Sequence, residues 1–404
     1  IFSTLLGMIS GSAAGNVAVT GTLTIPMMKK EGYQNHQAGA IEAVVSTGGQ
    51  IMPPVMGAAA FIMAEIIGKP YTEIMKAGLL PALLFFASTF FVVHFQAKKN
   101  GLKPKKYKDD GESTIMILLN GLQFIIPFLS LIGMMLYGYS PFKASFFSII
   151  ILLSLNFLWN RKISFDFLMN CQKAIVEGTK NIVPIAVACA AAGIIAGTLG
   201  ITGLGSKISG LILTWSLGIP ILALFMTMVV AIILGMGLPT TAAYLILATV
   251  VAPSLSEIGV PMLTAHMFVF FFGCVSTITP PVALAAYVAA GIAKANINKV
   301  GWTAFAYGIT CYILPFIFFY SPALLLNDSI YMISLAIISS LCGVFCISLF
   351  VIGFFKRELN LYFRLVLCLA GILLLLQGYI TDILGAIILL IFLFFHYKIN
   401  KIKN

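Results

Sequence analysis

The sequence predicts an all-α polytopic membrane protein built from two inverted repeats, each with a re-entrant hairpin and a broken helix, plus extra C-terminal transmembrane helices. Three observations carry that prediction: a lipid-compatible composition, apolar runs of spanning length, and two motif pairs that recur at nearly the same offset. Of 404 residues, 60% are hydrophobic and 9% are charged, against roughly 25% charged in a soluble domain. A helix needs about 20 apolar residues to cross about 30 Å of hydrocarbon. Runs near that length are Ile74–Phe95, Thr114–Gly138, Phe142–Trp159, Ile182–Gly200, Tyr331–Phe355, Leu361–Ile380 and Ile383–Phe395. Trp215–Leu234 and Trp302–Tyr320 also qualify, although Gly or Pro interrupts them. The alternating period of a membrane barrel is missing from the sequence.

The net charge of +11 would fit nucleic acid, but its placement points to the lipid bilayer. With the runs alternating across a membrane, 20 of the 24 basic residues fall on one side; Lys69, Lys76, Lys143 and Lys207 are the other four. Basic residues concentrate in cytoplasmic loops, so the 96–113 loop and the C-terminus are expected in the cytoplasm of a cell (inner) membrane protein. Cysteines introduced as Lys103→Cys or Lys398→Cys, in a cysteine-free background, should therefore be shielded from an impermeant reagent in intact cells. Lys69→Cys and Ser256→Cys should react. Labelling at position 103 from outside would overturn the inversion of the repeats.

The motif pairs define the repeats. "QIMPPVMGAAA" at Gln50–Ala60 matches "TITPPVALAAY" at Thr277–Tyr287 with an offset of 227, and "LGMISGSAAGN" at Leu6–Asn16 matches "LGMGLPTTAAY" at Leu234–Tyr244 with an offset of 228. Each half reads as a small or hydroxyl-rich tip, a helix, a turn, a second helix and a break at Pro-Pro. In the first half the arm after the tip ends at the basic "KKEGYQ"; in the second it ends at "SEIGVP", which has no base. Inversion follows. It is a recurrent plan of secondary transporters, whose sites lie near the midplane at broken helices.

Proline inside a helix removes an N–H donor and frees a carbonyl one turn earlier. Such backbone is tolerated at membrane depth only where it is buried in protein or lines a cavity. Pro53–Pro54 follow Gly48, Gly49 and Gln50, and Pro280–Pro281 follow Ser276, Thr277 and Thr279, so freed carbonyls stand beside hydroxyls. Oxygen-only sets of this kind suit Na⁺; the alternative is a pair of packing kinks. The tips, around Ser12 and Thr240, would present helix N-termini, which attract anions; a small-residue packing face is the other reading. Lys29 follows the first tip after about 16 residues, or about 24 Å of helix, which favours a re-entrant hairpin over a full crossing.

Glu42 lies within a membrane helix, where an acid costs about 2.5–3.5 kcal/mol and should face protein or water. Proton coupling and a hydrogen-bonded structural role both fit it. The four histidines are scattered and no metalloprotease or dinucleotide motif occurs, so an enzyme is not expected. The seven cysteines show neither disulfide nor metal spacing.

These motifs resemble the large membrane subunit of TRAP transporters, in the ion transporter superfamily. The resemblance rests on Ser10–Ser12 with "GTLTIPMMKKEGY", "STGGQIMPPV", "LGMGLPTTAAY" and "TITPPV", and covers about residues 1–320. The three extra C-terminal spans, and Gln-Ile-Met before Pro53, are similar to fused permeases served by TAXI-type binding proteins. The resemblance implies an elevator-type, sodium-coupled importer that receives a small organic anion (carboxylate-type) from an extracytoplasmic binding protein, with Na⁺ as coupling ion and no cofactor. It places one sodium site at Ser10, Gly11, Ser12, Gly48, Gly49, Gln50 and Met52. A second would use Gly237, Pro239, Thr240, Ser276, Thr277 and Thr279, with Asn16, Thr241 and Tyr244 facing the substrate. A carboxylate symporter of the same superfamily, without a binding protein, is the alternative.

The expected organisation is a first repeat over 1–95, a cytoplasmic loop over 96–113, scaffold helices with a cytoplasmic linker over 114–180, a second repeat over 181–320, and a C-terminal extension over 321–404. Because the chain opens a few residues before a motif, the first repeat is expected to lack its N-terminal part here.

Overall fold

The computed structural model describes residues 2–103, 114–160 and 165–403. The lysine-rich stretch from 104 to 113 and the basic pair Arg161 and Lys162 lie outside the described residues.

Helix α1 (Phe2–Ser10) runs to the first tip, and α2 (Ala13–Glu31) leaves it. Ser12 starts α2 by accepting a bond from the Gly15 N–H at 3.2 Å, satisfying a donor that a helix start leaves open. Gly32 ends α2 in the left-handed conformation with φ 106°, which costs glycine little. After a short turn come α3 (Asn35–Gly49), the first break, and α4 (Gly57–Ile67). Helix α5 (Tyr71–Lys99) closes this unit with 29 residues, extending past the expected span into the start of the basic loop.

The pair α6 (Thr114–Leu136) and α7 (Pro141–Asn160) packs mainly on itself. Helix α8 (Phe165–Ile201) has 37 residues: the charged segment from 165 to 181 is helix, continuous with the apolar run after it. The chain then bends by 70° into α9 (Leu204–Trp215), an element the sequence did not announce.

The second unit repeats the first in order. Helix α10 (Pro220–Gly235), opened by a proline at its first position, leads to the second tip. Helices α11 (Thr240–Val250) and α12 (Ala252–Glu257) form the returning arm, followed by α13 (Met262–Val275), a 3₁₀ turn at Ser276–Ile278, the second break and α14 (Leu284–Ala293). Helices α15 (Ile297–Tyr307) and α16 (Ile309–Tyr320) stand where α5 does in the first unit.

Three helices follow: α17 (Ile330–Ile352), α18 (Leu361–Leu375) and α19 (Tyr379–Lys403), with a two-residue antiparallel ladder between Phe354–Phe355 and Arg357–Glu358. The expected single run Leu361–Ile380 is shorter in fact. Helix α18 has 15 residues and stops at a turn in which Gln377 adopts φ 53°. Among the described residues, five helices are long and apolar enough to cross a membrane, or six if the bent α8–α9 pair crosses as one.

Two pairings position the centre. Helix α3 packs against α1, α2, α14 and α15, while α11 packs against α4, α8 and α13. The broken helices therefore lie side by side, and each hairpin lies over them.

Candidate functional site

The geometry of the breaks follows from which donors proline removes. Pro53 and Pro54 delete both the i+3 and i+4 N–H partners of Gln50; Pro280 and Pro281 delete the same two for Thr277. Gln50 and Thr277 are the equivalent positions of the two repeats. Thr47, Gly48 and Gly49 recover their carbonyl bonds through tight turns, from the N–H groups of Gln50, Ile51 and Met52, each at 3.1 Å. Tyr71 Oη donates within reach of the carbonyls of Pro54 (3.0 Å) and Val55 (2.6 Å). The carbonyls of Gln50, Ile51 and Pro53 accept no hydrogen bond among the described residues. In the second break the same holds for Thr277, Ile278, Thr279 and Pro280, while Tyr287 Oη caps Pro281.

The breaks meet. Thr47 Oγ1 and Thr277 Oγ1 share a hydrogen bond of 3.2 Å across the two halves. Thr240, at the second tip, donates to Gln50 Oε1 at 2.9 Å, so the tip of one repeat touches the break of the other. Gln50 is 1% exposed and its Nε2 lacks a hydrogen-bond partner, an open polar position. Ser276 Oγ lies 3.0 Å from the Gly235 carbonyl and 2.7 Å from that of Gly273, tying the second tip's arm to its own break. Thr279 Oγ1 reaches the Val275 carbonyl and the Tyr312 hydroxyl, both at 2.6 Å.

The glycines of the first break have a packing reason. A Cβ on Gly48 would stand 2.1 Å from Phe85, and one on Gly49 would stand 2.8 Å from Gly7 Cα. One on Gly57 would stand 2.7 Å from Gly11 Cα. Helix α1 therefore lies backbone to backbone against α3 and the start of α4. The second repeat keeps this contact in altered form: a Cβ on Gly235, the partner of Gly7, would stand 3.0 Å from Ser276 Oγ.

Around the first proposed set, the structure brings Gly7 against Gly49 and Gly11 against Gly57. Ser10 is exposed, Gly11, Ser12 and Met52 are half-buried, and Gly48, Gly49 and Gln50 are buried. In the second set Gly237 and Pro239 are exposed at the tip while Thr240, Ser276, Thr277 and Thr279 are buried. The three residues expected toward substrate are all buried. Asn16 Nδ2 donates to the Ser3 carbonyl (2.7 Å) and Ser46 Oγ (2.9 Å), and Tyr244 Oη bonds His266 Nδ1 at 2.8 Å. Thr241 lies in the first turn of α11. Sequence reasoning missed Thr47, Tyr71 and His266; Thr47 was readable in principle, as a hydroxyl beside the Gly-Gly of the break.

Paired hairpin tips over paired helix breaks, inside a multi-pass helical protein, are the recurrent plan of secondary transporters. Residues 1–333 match the family described as the tripartite ATP-independent periplasmic transporter, DctM component, and the chain belongs to that family. Among curated proteins, the 2,3-diketo-L-gulonate TRAP transporter large permease protein YiaN of Escherichia coli (strain K12) is 24% identical over 326 residues, covering 80% of this chain and 74% of YiaN. The isethionate TRAP transporter permease protein DctMQ of Oleidesulfovibrio alaskensis is 26% identical over 301 residues, covering 72% of this chain and 45% of DctMQ. The uncharacterised protein y4mL of Sinorhizobium fredii is 23% identical over 327 residues, covering 77% and 74%. The chain is therefore the large permease of a secondary transporter in the inner membrane, a partner of an extracytoplasmic substrate-binding protein, and not an enzyme.

Proposed function

We propose that this permease is a sodium-coupled importer of a small organic anion, working by an elevator movement of the hairpins and broken helices against the long flanking helices. The observation that carries the reading is the pair of breaks whose carbonyls at Gln50 and Thr277 are left open beside the hydroxyls of Thr240, Ser276, Thr277 and Thr279. Carbonyl and hydroxyl oxygens are the ligands a hard monovalent cation needs, without a buried carboxylate at the site itself. Each half would hold one Na⁺: Ser10–Ser12 with Gly48–Gln50 and Met52, and Gly237, Pro239 and Thr240 with Ser276, Thr277 and Thr279. Two ions would add about 4.6 kcal/mol of electrical drive per 100 mV for a neutral substrate, and less for an anion.

Anion binding would rest on the open N–H groups at the start of α11, where Thr240 and Thr241 stand, together with Gln50 Nε2. Asn16 and Tyr244 would line the same region once the hairpins open. The names of two relatives, for 2,3-diketo-L-gulonate and isethionate, agree with an organic anion. The three helices after residue 321 support a TAXI-type binding protein as the partner, and the lysine distribution supports a cytoplasmic C-terminus.

Thr279→Ala should raise the Na⁺ concentration for half-maximal uptake by about 5- to 30-fold, the equivalent of a ligand worth roughly 1–2 kcal/mol. Tyr312→Phe removes only the hydroxyl partner of Thr279 and should stay within about twofold of wild type. An unchanged Na⁺ requirement in Thr279→Ala would remove this residue from the ion site.

A further inference from the structure

We propose that the groove between the ends of α5, α15 and α17 is a binding site for an anionic phospholipid, whose phosphate is held between Lys99 and Lys299. Binding at this site does not rest on the transport reading above.

The groove has a volume of about 480 Å³. Three of the segments long and apolar enough to cross a membrane line it: α5 near its end, α17 with its last two residues, and α15–α16 with its opening turns. Ends of spans meet at the boundary where about 30 Å of hydrocarbon gives way to head groups. The lysine distribution assigns this boundary to the cytoplasmic face.

Helix α15 supplies one wall, and that wall changes character along the axis. Asn298 and Lys299 stand in its first turn, Trp302 and Thr303 in the next, Ala306 and Tyr307 in the last. The i, i+4 spacing of Asn298, Trp302 and Ala306 puts these three in one row. From Asn298 to Tyr307 is about 14 Å of helix. The groove therefore runs from a cationic mouth to an apolar inner wall, which Val351 and Ile352 complete. A phospholipid has the same polarity from phosphate to acyl chain. Trp302 is 61% exposed, and an indole at head-group level is a common interfacial anchor.

The mouth carries two positive charges. No carboxylate lines it, and among the described residues neither lysine forms an ion pair. Lys99 Nζ donates to the Ile352 carbonyl at 2.8 Å, which fixes its charge at the end of α17 and leaves two N–H groups for a ligand. The polar floor is already satisfied: Tyr307 Oη donates to Gln96 Oε1 at 3.0 Å, and Gln96 Nε2 to Asn100 Oδ1 at 2.8 Å. The charge left for a ligand is thus two ammonium groups, which donate and cannot accept, so they select an anion. Basic pockets between transmembrane helices at the cytoplasmic face take anionic lipid head groups in this way. A bound lipid would bridge α15, which packs on the broken helix α3, to the packed pair α5 and α17.

Tryptophan fluorescence tests the site directly, because the chain has only three tryptophans. In the full chain carrying Trp159→Phe and Trp215→Phe, Trp302 is the sole reporter, and lipids brominated in the acyl chain quench it. In phosphatidylcholine bilayers, brominated phosphatidylglycerol should be preferred at Trp302 by about 30-fold, from about fivefold for each lysine. Lys299→Gln, which breaks no hydrogen bond among the described residues, should reduce that preference by about fivefold. Adding Lys99→Gln should abolish it. Lys143→Gln, at a lysine assigned to the other face, should keep it in full. Millimolar inorganic phosphate should leave the quenching by brominated phosphatidylglycerol unchanged. Equal quenching by brominated phosphatidylglycerol and brominated phosphatidylcholine, or a preference that survives in the double lysine variant, would overturn the proposal. Fluorescence restored by inorganic phosphate would make the ligand a free anion and overturn it equally.

Discussion

Replacing Pro53–Pro54 or Pro280–Pro281 with Ala-Ala is expected to reduce uptake by at least tenfold while the protein still folds and inserts. The alanines restore N–H donors to the open carbonyl of Gln50 in one half, or of Thr277 in the other. Those carbonyls then bond within the helix and are withdrawn from any ion. Interior proline costs about 3 kcal/mol relative to alanine, so each variant should match or exceed wild type in thermal stability. If the prolines serve only as packing kinks, the order reverses: stability falls, and residual uptake tracks the amount of folded protein. Thermal stabilisation by Na⁺ and uptake, measured on the same preparations, separate the two.

Gly49→Val is expected to act in the opposite way, removing both stability and function. Even its Cβ would sit 2.8 Å from Gly7 Cα and 3.0 Å from the Thr4 carbonyl, both backbone positions of α1. Overpacking of this kind costs about 1–3 kcal/mol, and α1 carries the first tip. Uptake should be lost together with a lower midpoint of thermal unfolding. A Gly49→Val protein of wild-type stability would show that α1 does not lie against the break.

Much of the architecture was legible in the sequence because the repeat offset is nearly constant. Gln50 aligns with Thr277 and Gly7 with Gly235, and the structure gives each pair the same local role. Helix α8 was harder, since the charged residues from 165 to 181 interrupt the apolar run without interrupting the helix. The shortness of α18 was hidden too, because Leu361–Ile380 reads as continuous apolar sequence around a turn at Gln377. Of the candidate site, the breaks could be read from proline chemistry alone. The bond from Thr240 to Gln50 could not, since it spans 190 positions and depends on how the halves dock. The hydrogen bonds that Ser3, Thr20, Thr24 and Ser46 donate to the buried Glu42 carboxyl were equally hidden, since the four hydroxyls share no motif and meet only when three helices pack.

If ions occupy the breaks as proposed, the two halves act as one centre. The most direct test is uptake into proteoliposomes holding the purified permease, with its cognate binding protein and substrate outside, before and after an inward Na⁺ gradient is applied. The account predicts saturable uptake that begins with the Na⁺ gradient and is lost in either Ala-Ala variant. Uptake proceeding at the same rate in sodium-free medium would contradict it.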